Sequence, residues 1–218
     1  MTTLELMVDS FPLMLKGAGM TLKIVSLAGI MGIILGTLIG LGRMSGVKWI
    51  SAPLAVYIEV IRGTPLYTQL LLVVFGIPQI TGINYEEFPA AVITIGFNSS
   101  AYVAEIVRAG IQSIDKGQME AGRSLGMSHG LTMREIILPQ AFKRVIPPLV
   151  NEMISLIKES SLVAAISLVE LTRTAQMIAS RTYKPFPSLI LAALMYLVMT
   201  LTLSRVANAL ERRLQASD

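Results

Sequence analysis

Polar and ionisable side chains occur within stretches of this sequence that are otherwise apolar. Asn98 interrupts one such stretch, and the run from Lys158 through Glu159, Ser160 and Ser161 interrupts another. Amides, hydroxyls and carboxylates can bind a polar solute through hydrogen bonds and ion pairs. A charge at the centre of a membrane helix costs about 2.5–3.5 kcal/mol on insertion scales, so we interpret these residues as parts of a solute pathway. The alternative is that Lys158 and Glu159 pair with neighbouring helices for structural reasons.

A further candidate is the backbone at Gly63, Thr64 and Pro65. Pro65 has no N–H and clashes with the carbonyl of the residue four positions earlier, and Gly63 weakens the helix just before it. We expect a kink or an unwound turn that frees backbone groups near the membrane centre. Transporters commonly bind polar solutes at such broken helices, so Gly63 and Thr64 are predicted to contact the solute. The alternative is a proline kink with a structural role only.

The composition indicates that the elements carrying these residues lie in a membrane. Of the 218 residues, 53% are apolar and only 15% are charged, whereas about a quarter of residues are charged in ordinary soluble domains. Five stretches are long enough to cross a bilayer core of about 30 Å as helices. We therefore predict one all-α membrane domain over residues 1–218. Its five spans are predicted at residues 21–41, 52–75, 88–109, 146–169 and 186–207.

Two patterns within these spans concern packing. Gly32, Gly36 and Gly40 repeat every four residues and form a ridge that another helix can approach closely. The spacing of Glu59 and Arg62 allows an ion pair within one helix. We interpret the glycine ridge as a helix-packing surface.

The positions of Lys and Arg in the loops predict the orientation. The loops at residues 42–51 and 110–145 and the C-terminal tail, with Arg212 and Arg213, are basic, whereas the loop at residues 76–87 holds no base and two acids. Because basic loops are retained in the cytoplasm, the N-terminus is predicted outside and the C-terminus in the cytoplasm. The loop at residues 170–185 disagrees, since it should be external yet carries three basic residues.

The connection at residues 110–145 is predicted to fold into helices and to dock a partner. The alternative is a solvated amphipathic loop. Thr132 and Glu135 have the spacing of a capping box that would begin a helix. We expect Pro139 to kink that helix, and Pro147 and Pro148 to begin the next one.

Several catalytic chemistries are excluded by missing residues. No Gly-Lys dipeptide occurs, so the chain has no Walker A loop and cannot hydrolyse ATP by that mechanism. The absence of cysteine and the single histidine, His129, argue against thiolate metal sites and histidine triads. We predict that the chain is not an enzyme and holds no cofactor or metal of its own. The formal charge of +4 is explained by cytoplasmic loops and requires no nucleic acid.

A motif in the 110–145 connection resembles a known family. The motif consists of Glu120, Ala121 and Gly122, then Gly126, then Ile136, Leu138 and Pro139. It is similar to the EAA loop of permease subunits of bacterial ABC importers, with E-A-A, three residues, G, nine residues and I-x-L-P, and it departs only at Gly122. Residues 58–65, 98–102 and 157–162 resemble the polar amino acid permeases of that superfamily.

The resemblance implies a fold of the type I ABC importer class, in which this loop is a coupling helix that docks into a separate ATPase. Small residues at Ala121, Gly122 and Gly126 would let the helix seat closely, and Glu120 and Arg123 would make polar contacts at the rim. The implied partners are two ATPase copies that bind ATP and Mg²⁺, a second permease subunit, identical or related, and an extracytoplasmic solute-binding protein. The implied location is the bacterial cytoplasmic (inner) membrane, in contact with lipid.

The implied cargo is a polar amino acid. Freed backbone at Gly63 and Thr64 and the amide of Asn98 would hold its carboxylate and ammonium groups. Glu159 would face a basic side chain, unless Lys158 cancels its charge, so arginine, lysine, histidine and glutamine all stay open. Two rival interpretations are an ion-coupled carrier or channel without an ATPase, and a receptor or scaffold that only docks a cytoplasmic partner.

Overall fold

The computed structural model describes the backbone of residues 2–215 and their side chains, apart from those of 210, 211 and 213–215. The prediction that rests on Arg213 therefore lies outside the described side chains. Within these limits every regular element is helical. In chain order the helices are α1 (Thr3–Arg43), α2 (Lys48–Gly63), α3 (Leu66–Leu71), α4 (Ile77–Thr81), α5 (Glu87–Gln112), α6 (Lys116–Ser124), α7 (His129–Thr132), α8 (Leu138–Glu159), α9 (Leu171–Thr182) and α10 (Pro185–Gln215).

Three helices, α1, α5 and α10, are long and apolar enough to cross a membrane. Helix α2 and the segment Leu66–Thr81 form a fourth candidate, which is bent by 102° at its break. The predicted span at residues 146–169 coincides with most of α8 and with the 3₁₀ turn Ser160–Ile166 that follows it. Since α8 carries Lys158 and Glu159 at its end, its polar side needs protein or water beside it.

Helix α1 begins far before residue 21, where the sequence predicts the first span. Thr2 and Glu5 form a capping box, in which the Thr2 hydroxyl accepts from the Glu5 N–H at 3.2 Å and the Glu5 carboxylate accepts from the Thr2 N–H at 2.8 Å. The predicted span is therefore the C-terminal half of a single helix of 41 residues.

The glycine ridge of α1 packs directly against α5. A Cβ atom added at Gly36 would lie 2.6 Å from the carbonyl oxygen of Ser100, and one at Gly40 would lie 2.7 Å from that of Ala104. At Gly32 the nearest atom is the hydroxyl of Ser99, at 2.7 Å. The interpretation of this ridge as a packing surface is confirmed.

Helix α9 is attached to the rest of the molecule by a buried acid. Glu170 is fully buried and begins α9, where its carboxylate accepts from the backbone N–H groups of Thr172 at 2.8 Å and Arg173 at 2.7 Å. The same carboxylate accepts from the hydroxyls of Tyr196 at 2.7 Å and Thr21 at 3.3 Å. One side chain thus ties α9 to α10 and α1.

The connection at residues 110–145 folds into helices, but its capping residue differs from the prediction. Ser128 accepts from the N–H of Leu131 at 3.2 Å and begins α7, whereas Thr132 is fully buried and donates to the Ser128 carbonyl at 3.0 Å. The Thr132 side chain packs against Gly122 of α6. Because of this contact it does not act as the N-cap that the local sequence predicts.

The prolines of this region also behave differently from expectation. A π turn (Met133–Ile137) connects α7 to α8, and Pro139 lies in the first turn of α8. Pro147 and Pro148 lie inside α8 and do not begin a new helix. The apolar contacts of Ala141 and Val145 with α5 hold this part of α8 in place on the N-terminal side of both prolines.

Replacement of Gly36 by alanine should destabilise the protein. The added methyl group meets a backbone carbonyl, which cannot move aside as a flexible side chain would, and such overpacking typically costs about 1–3 kcal/mol. Gly19→Ala is the matched control, because a Cβ at Gly19 meets nothing within 4 Å in the same helix. We expect thermal unfolding of the purified protein in detergent to show a lower midpoint for Gly36→Ala only. Equal midpoints would contradict the close contact.

Candidate functional site

The break in the second predicted span forms at the expected residues. Helix α2 ends at Gly63, and Thr64 has extended backbone with φ −119° and ψ 142°. Pro65 is the N-cap of α3, and the two helical segments meet at 102°. The prediction of an unwound turn at residues 63–65 is confirmed.

Gln69, which was not among the predicted site residues, bridges this break. Its side-chain amide nitrogen donates to the carbonyl of Ile61 at 2.9 Å and to the carbonyl and hydroxyl oxygens of Thr64 at 3.2 and 2.8 Å. The Ile61 carbonyl is the group that Pro65 leaves without a helical donor. A glutamine one turn after the proline was the available signal, because its amide can replace the missing N–H.

Asn98 of α5 holds Gln69 in this position. Its side-chain nitrogen donates to the Gln69 amide oxygen at 3.0 Å, and Asn98 is only 3% exposed. The structure therefore joins two of the predicted site residues, Thr64 and Asn98, through the hydrogen bonds of Gln69, and Gly63 lies next to Thr64 in the chain. The Asn98 nitrogen has a protein partner, so it is a positioning group for the break.

The predicted residues at the end of α8 are arranged differently. The hydroxyls of Ser160 and Ser161 donate to the carbonyls of Ile157 and Lys158 at 2.7 and 2.6 Å. They thus satisfy carbonyl groups of the last turn of the helix. Glu159 is partly buried, and among the described residues it forms no hydrogen bond or ion pair with the residues around the break. The contact between these two groups of predicted residues is apolar, through Leu66 and Leu70 of α3 and Val163 of the 3₁₀ turn.

Two further polar contacts join α5 to its neighbours. The hydroxyl of Ser99 donates to the Glu152 carboxylate of α8 at 2.9 Å. The hydroxyl of Tyr57 in α2 donates to the carbonyl of Phe97 at 2.8 Å and lies 2.7 Å from the Ser100 hydroxyl. The polar face of α8 therefore turns toward α5, as expected for a carboxylate within a membrane.

The ion pair that the sequence allows between Glu59 and Arg62 is not formed within the described part of the chain. Instead, the Arg62 guanidinium lies over the ring of Tyr102, 5.2 Å from its centroid. Glu105 pairs with Arg43 of α1 at 2.6 Å and with the Nε of Arg108 at 3.1 Å. The Glu105 carboxylate, on the same helix as Tyr102, is thus paired with guanidinium groups other than that of Arg62.

The first part of the EAA-like motif, from Glu120 to Gly126, lies on α6 and the turn that follows it, whereas Ile136 lies in the π turn and Leu138 and Pro139 begin α8. Gly126 has φ +84° and ends the helix in a Schellman motif, with the Met127 N–H donating to the Gly122 carbonyl and the Gly126 N–H to that of Arg123. Only glycine adopts this backbone without strain. Gly126 is therefore required by the turn itself.

The other motif residues divide between the inside and the surface. Glu120, Ala121 and Arg123 are exposed, and Arg123 also donates to the carbonyl of Met127 at 3.0 Å. Gly122 is buried, and a Cβ there would lie 2.5 Å from a Thr132 side-chain carbon. Its small size therefore serves the packing of α6 on α7, not contact with a partner. Leu125, which the sequence analysis did not select, is 82% exposed beside Glu120 and Ala121 in the motif.

A span broken around a polar cluster in an all-helical membrane protein is typical of solute transport proteins. The comparison with protein families agrees. Residues 32–216 match the family described as the inner membrane component of binding-protein-dependent transport systems. The chain belongs to this family.

Curated relatives extend over nearly the whole chain. The arginine transport system permease protein ArtQ of Bacillus subtilis (strain 168) is 44% identical over 214 residues, which cover 97% of this chain and 96% of the relative. The glutamine transport system permease protein GlnP of Escherichia coli (strain K12) is 42% identical over 210 residues, with 94% of each chain covered.

Solved structures share the fold. A crystal structure of an amino acid ABC transporter with histidines matches with a TM-score of 0.94 and 49% identity over 98% of this chain and 99% of that chain. The methionine ABC transporter MetNI in an inward-facing conformation matches with a TM-score of 0.77 and 18% identity over 94% of this chain and 97% of that chain. The predicted all-α fold of the type I ABC importer class is confirmed.

Replacement of Gln69 by leucine should destabilise the break while the side-chain size is kept. The Ile61 carbonyl and the Asn98 amide would lose their partner, and each buried group left unpaired costs about 1–3 kcal/mol. We expect a lower midpoint of thermal unfolding for Gln69→Leu than for Gln176→Leu, an exposed glutamine of α9. If both variants unfold at the wild-type temperature, the bridge contributes nothing to the fold.

Proposed function

We propose that this chain is the transmembrane permease subunit of an ATP-driven importer of polar amino acids. The observation that carries the proposal is the helix break at residues 63–65, which Gln69 and Asn98 hold open beside the start of α3. The relatives that are named for arginine and glutamine transport support the class of cargo.

The chemistry of the break fits the carboxylate of an amino acid. The helical segment Leu66–Thr81 begins directly after the break, and its first N–H groups receive no side-chain cap. Free N–H groups and the helix dipole favour an anion at such an end. We assign the carboxylate to this end beside Gly63 and Thr64. We assign the ammonium group to the amide oxygen of Asn98, since the Asn98 nitrogen is engaged by Gln69.

A basic side chain of the cargo would extend toward Glu159. This carboxylate is partly buried and lies at the end of α8, while the neighbouring Lys158 is exposed. Ser160 and Ser161, whose hydroxyls bind their own helix, shape the wall beside the cargo without donating to it. Neutral polar cargo such as glutamine would use the same carboxylate and ammonium contacts without Glu159.

The energy for transport would come from separate ATPase subunits. We propose that α6 and its turn dock into an ATPase through Glu120, Ala121, Arg123 and Leu125, which are exposed. Gly122 and Gly126 maintain the shape of this surface. Met119 of α6 packs against the apolar cluster that contains Ile111 of α5 and Ile137, so we propose that a movement of α6 reaches the helix that carries Asn98.

The complete transporter would contain two permease subunits, two ATPases that bind ATP and Mg²⁺, and an external solute-binding protein. We propose a bacterial inner-membrane location with the N-terminus outside and the C-terminus in the cytoplasm. This orientation puts α6 on the ATPase side and agrees with the basic residues in the 110–145 connection.

Uptake by the reconstituted permease–ATPase complex tests the proposal. We expect vesicles with internal ATP to accumulate radiolabelled arginine, lysine, histidine or glutamine, and vesicles with ADP to accumulate none. Leu125→Asp should abolish both uptake and co-purification of the ATPase, because a carboxylate would have to be buried in the docking groove. Tyr183→Asp, at a residue that is 90% exposed in the 170–185 connection, is the control and should retain the ATPase. Equal uptake with ATP and ADP would instead indicate a passive or ion-coupled carrier.

Replacement of Glu159 by glutamine tests its role toward basic cargo. Loss of a charge-assisted hydrogen bond should raise the KM for arginine or lysine about tenfold, because such bonds are roughly twice as strong as neutral ones. The KM for glutamine should stay unchanged. Glu135→Gln, at an exposed position outside the proposed site, provides the matched control. An unchanged KM for every basic amino acid would remove Glu159 from the site.

A further inference from the structure

A cleft of about 470 Å³ lies between the end of α2, the C-terminal half of α5 and the N-terminal half of α8. It begins at Arg62, directly before the break, and at Tyr102, and it reaches Ser113 and Arg144 near the start of α6. From Tyr102 to Ser113 the cleft follows α5 for about 16 Å, at 1.5 Å per residue. The cleft thus leads from the break to the end of the molecule that carries the EAA-like motif.

The cleft carries an excess of positive charge. Its carboxylate, Glu105, is already paired with Arg43 and Arg108. Arg62 and Arg144 have no carboxylate partner within the described residues. Arg62 contacts the Tyr102 ring, and Arg144 donates to the Ser113 carbonyl at 2.5 Å. Both side chains are exposed, so their remaining N–H donors are available to a ligand.

Two guanidinium groups that lack a carboxylate partner, in a cleft with mostly apolar walls, can bind a carboxylate or phosphate oxyanion with their remaining donors. Guanidinium binds such groups through two parallel hydrogen bonds, and the net positive charge of the cleft attracts an anion. The ligand would be either the carboxylate of an amino acid or the phosphate of an anionic phospholipid. The position of Arg62 next to Gly63 favours the amino acid, because a solute that leaves the break enters the cleft at this end.

We propose that this cleft is a second, weaker site that binds the carboxylate of the transported amino acid after it leaves the break. Arg62 receives the carboxylate first, and Arg144 receives it at the far end. The site offers no free carboxylate for the ammonium group, because Glu105 is paired. The cleft thus binds one end of the amino acid, whereas the break is assigned both its carboxylate and its ammonium group, so we expect the cleft to hold the amino acid less tightly, as a release site requires. This inference rests on the proposed function.

Equilibrium binding to the complete complex tests the inference. The complex is embedded in nanodiscs of phosphatidylcholine, and the binding of radiolabelled L-glutamine and L-arginine is measured by equilibrium dialysis. We expect a tight and a weak class of sites for the amino acid that is transported, with acetate displacing the weak class. Arg62→Gln and Arg144→Gln should each weaken the weak class at least tenfold, and Arg62→Lys should restore part of it. Arg134→Gln is the control, because Arg134 is 82% exposed and lies beside Glu135.

Three results would overturn the inference. The first is a single class of binding sites in the wild-type complex, together with normal ATP-driven uptake by the wild type and by Arg62→Gln. This result would exclude the second site and leave the importer function intact. The second is a weak class that persists unchanged in both glutamine variants. The third is displacement of the amino acid by phosphatidylglycerol in the nanodiscs, with the effect lost in Arg62→Gln, which would assign the cleft to a lipid phosphate. Failure of the proposed function itself has a different signature, namely no ATP-dependent uptake by the wild-type complex.

Discussion

The rest of this structure depends on the helix break at residues 63–65, which the hydrogen bonds of the Gln69 side-chain amide stabilise. A proline in a membrane helix leaves a carbonyl without a donor, and water is not available to replace it. In this protein the Gln69 amide supplies the donor, and Asn98 fixes its other end. The chain can therefore bend by 102° between two helical segments and still satisfy its backbone. The bridge adds to the hydrogen bond that the Thr64 hydroxyl donates to the Val60 carbonyl at 3.0 Å, and together they fix the backbone of the break.

Helix α5 connects this bridge to the rest of the molecule. Its small residues accept the glycine ridge of α1, Asn98 reaches the break, and Ser99 binds Glu152 of α8. At its other end, Ile111 belongs to the apolar cluster that supports α6. A single rigid helix thus touches the break, the polar face of α8 and the connection with the EAA-like motif.

Two acids that are removed from water have several polar partners each. Glu105 has two arginine partners, and Glu170 is capped by two backbone N–H groups and two hydroxyls. Both acids are satisfied where they are removed from water. Arg62 and Arg144, in contrast, have no carboxylate partner within the described residues and line an open cleft. The few charged residues discussed here therefore fall into two groups. Glu105 and Glu170 have structural partners, whereas Arg62 and Arg144 are accessible to a ligand.

The sequence by itself determined the all-helical membrane class, the break at residues 63–65, the packing role of Gly36 and the permease family. These features follow from local properties, namely apolar length, proline chemistry, glycine spacing and a contiguous motif. Only the tertiary structure decided which residue supports the break, which carboxylate pairs with which arginine, and that Ser128, not Thr132, begins α7. Gln69 and Asn98 lie 29 positions apart, and Thr132 is withdrawn from the cap by its contact with Gly122. Several hydrogen-bond and ion-pair partners are equally plausible from the local sequence. Which of them is used depends on contacts between segments that are distant in the chain, and a local sequence pattern carries no information about those contacts.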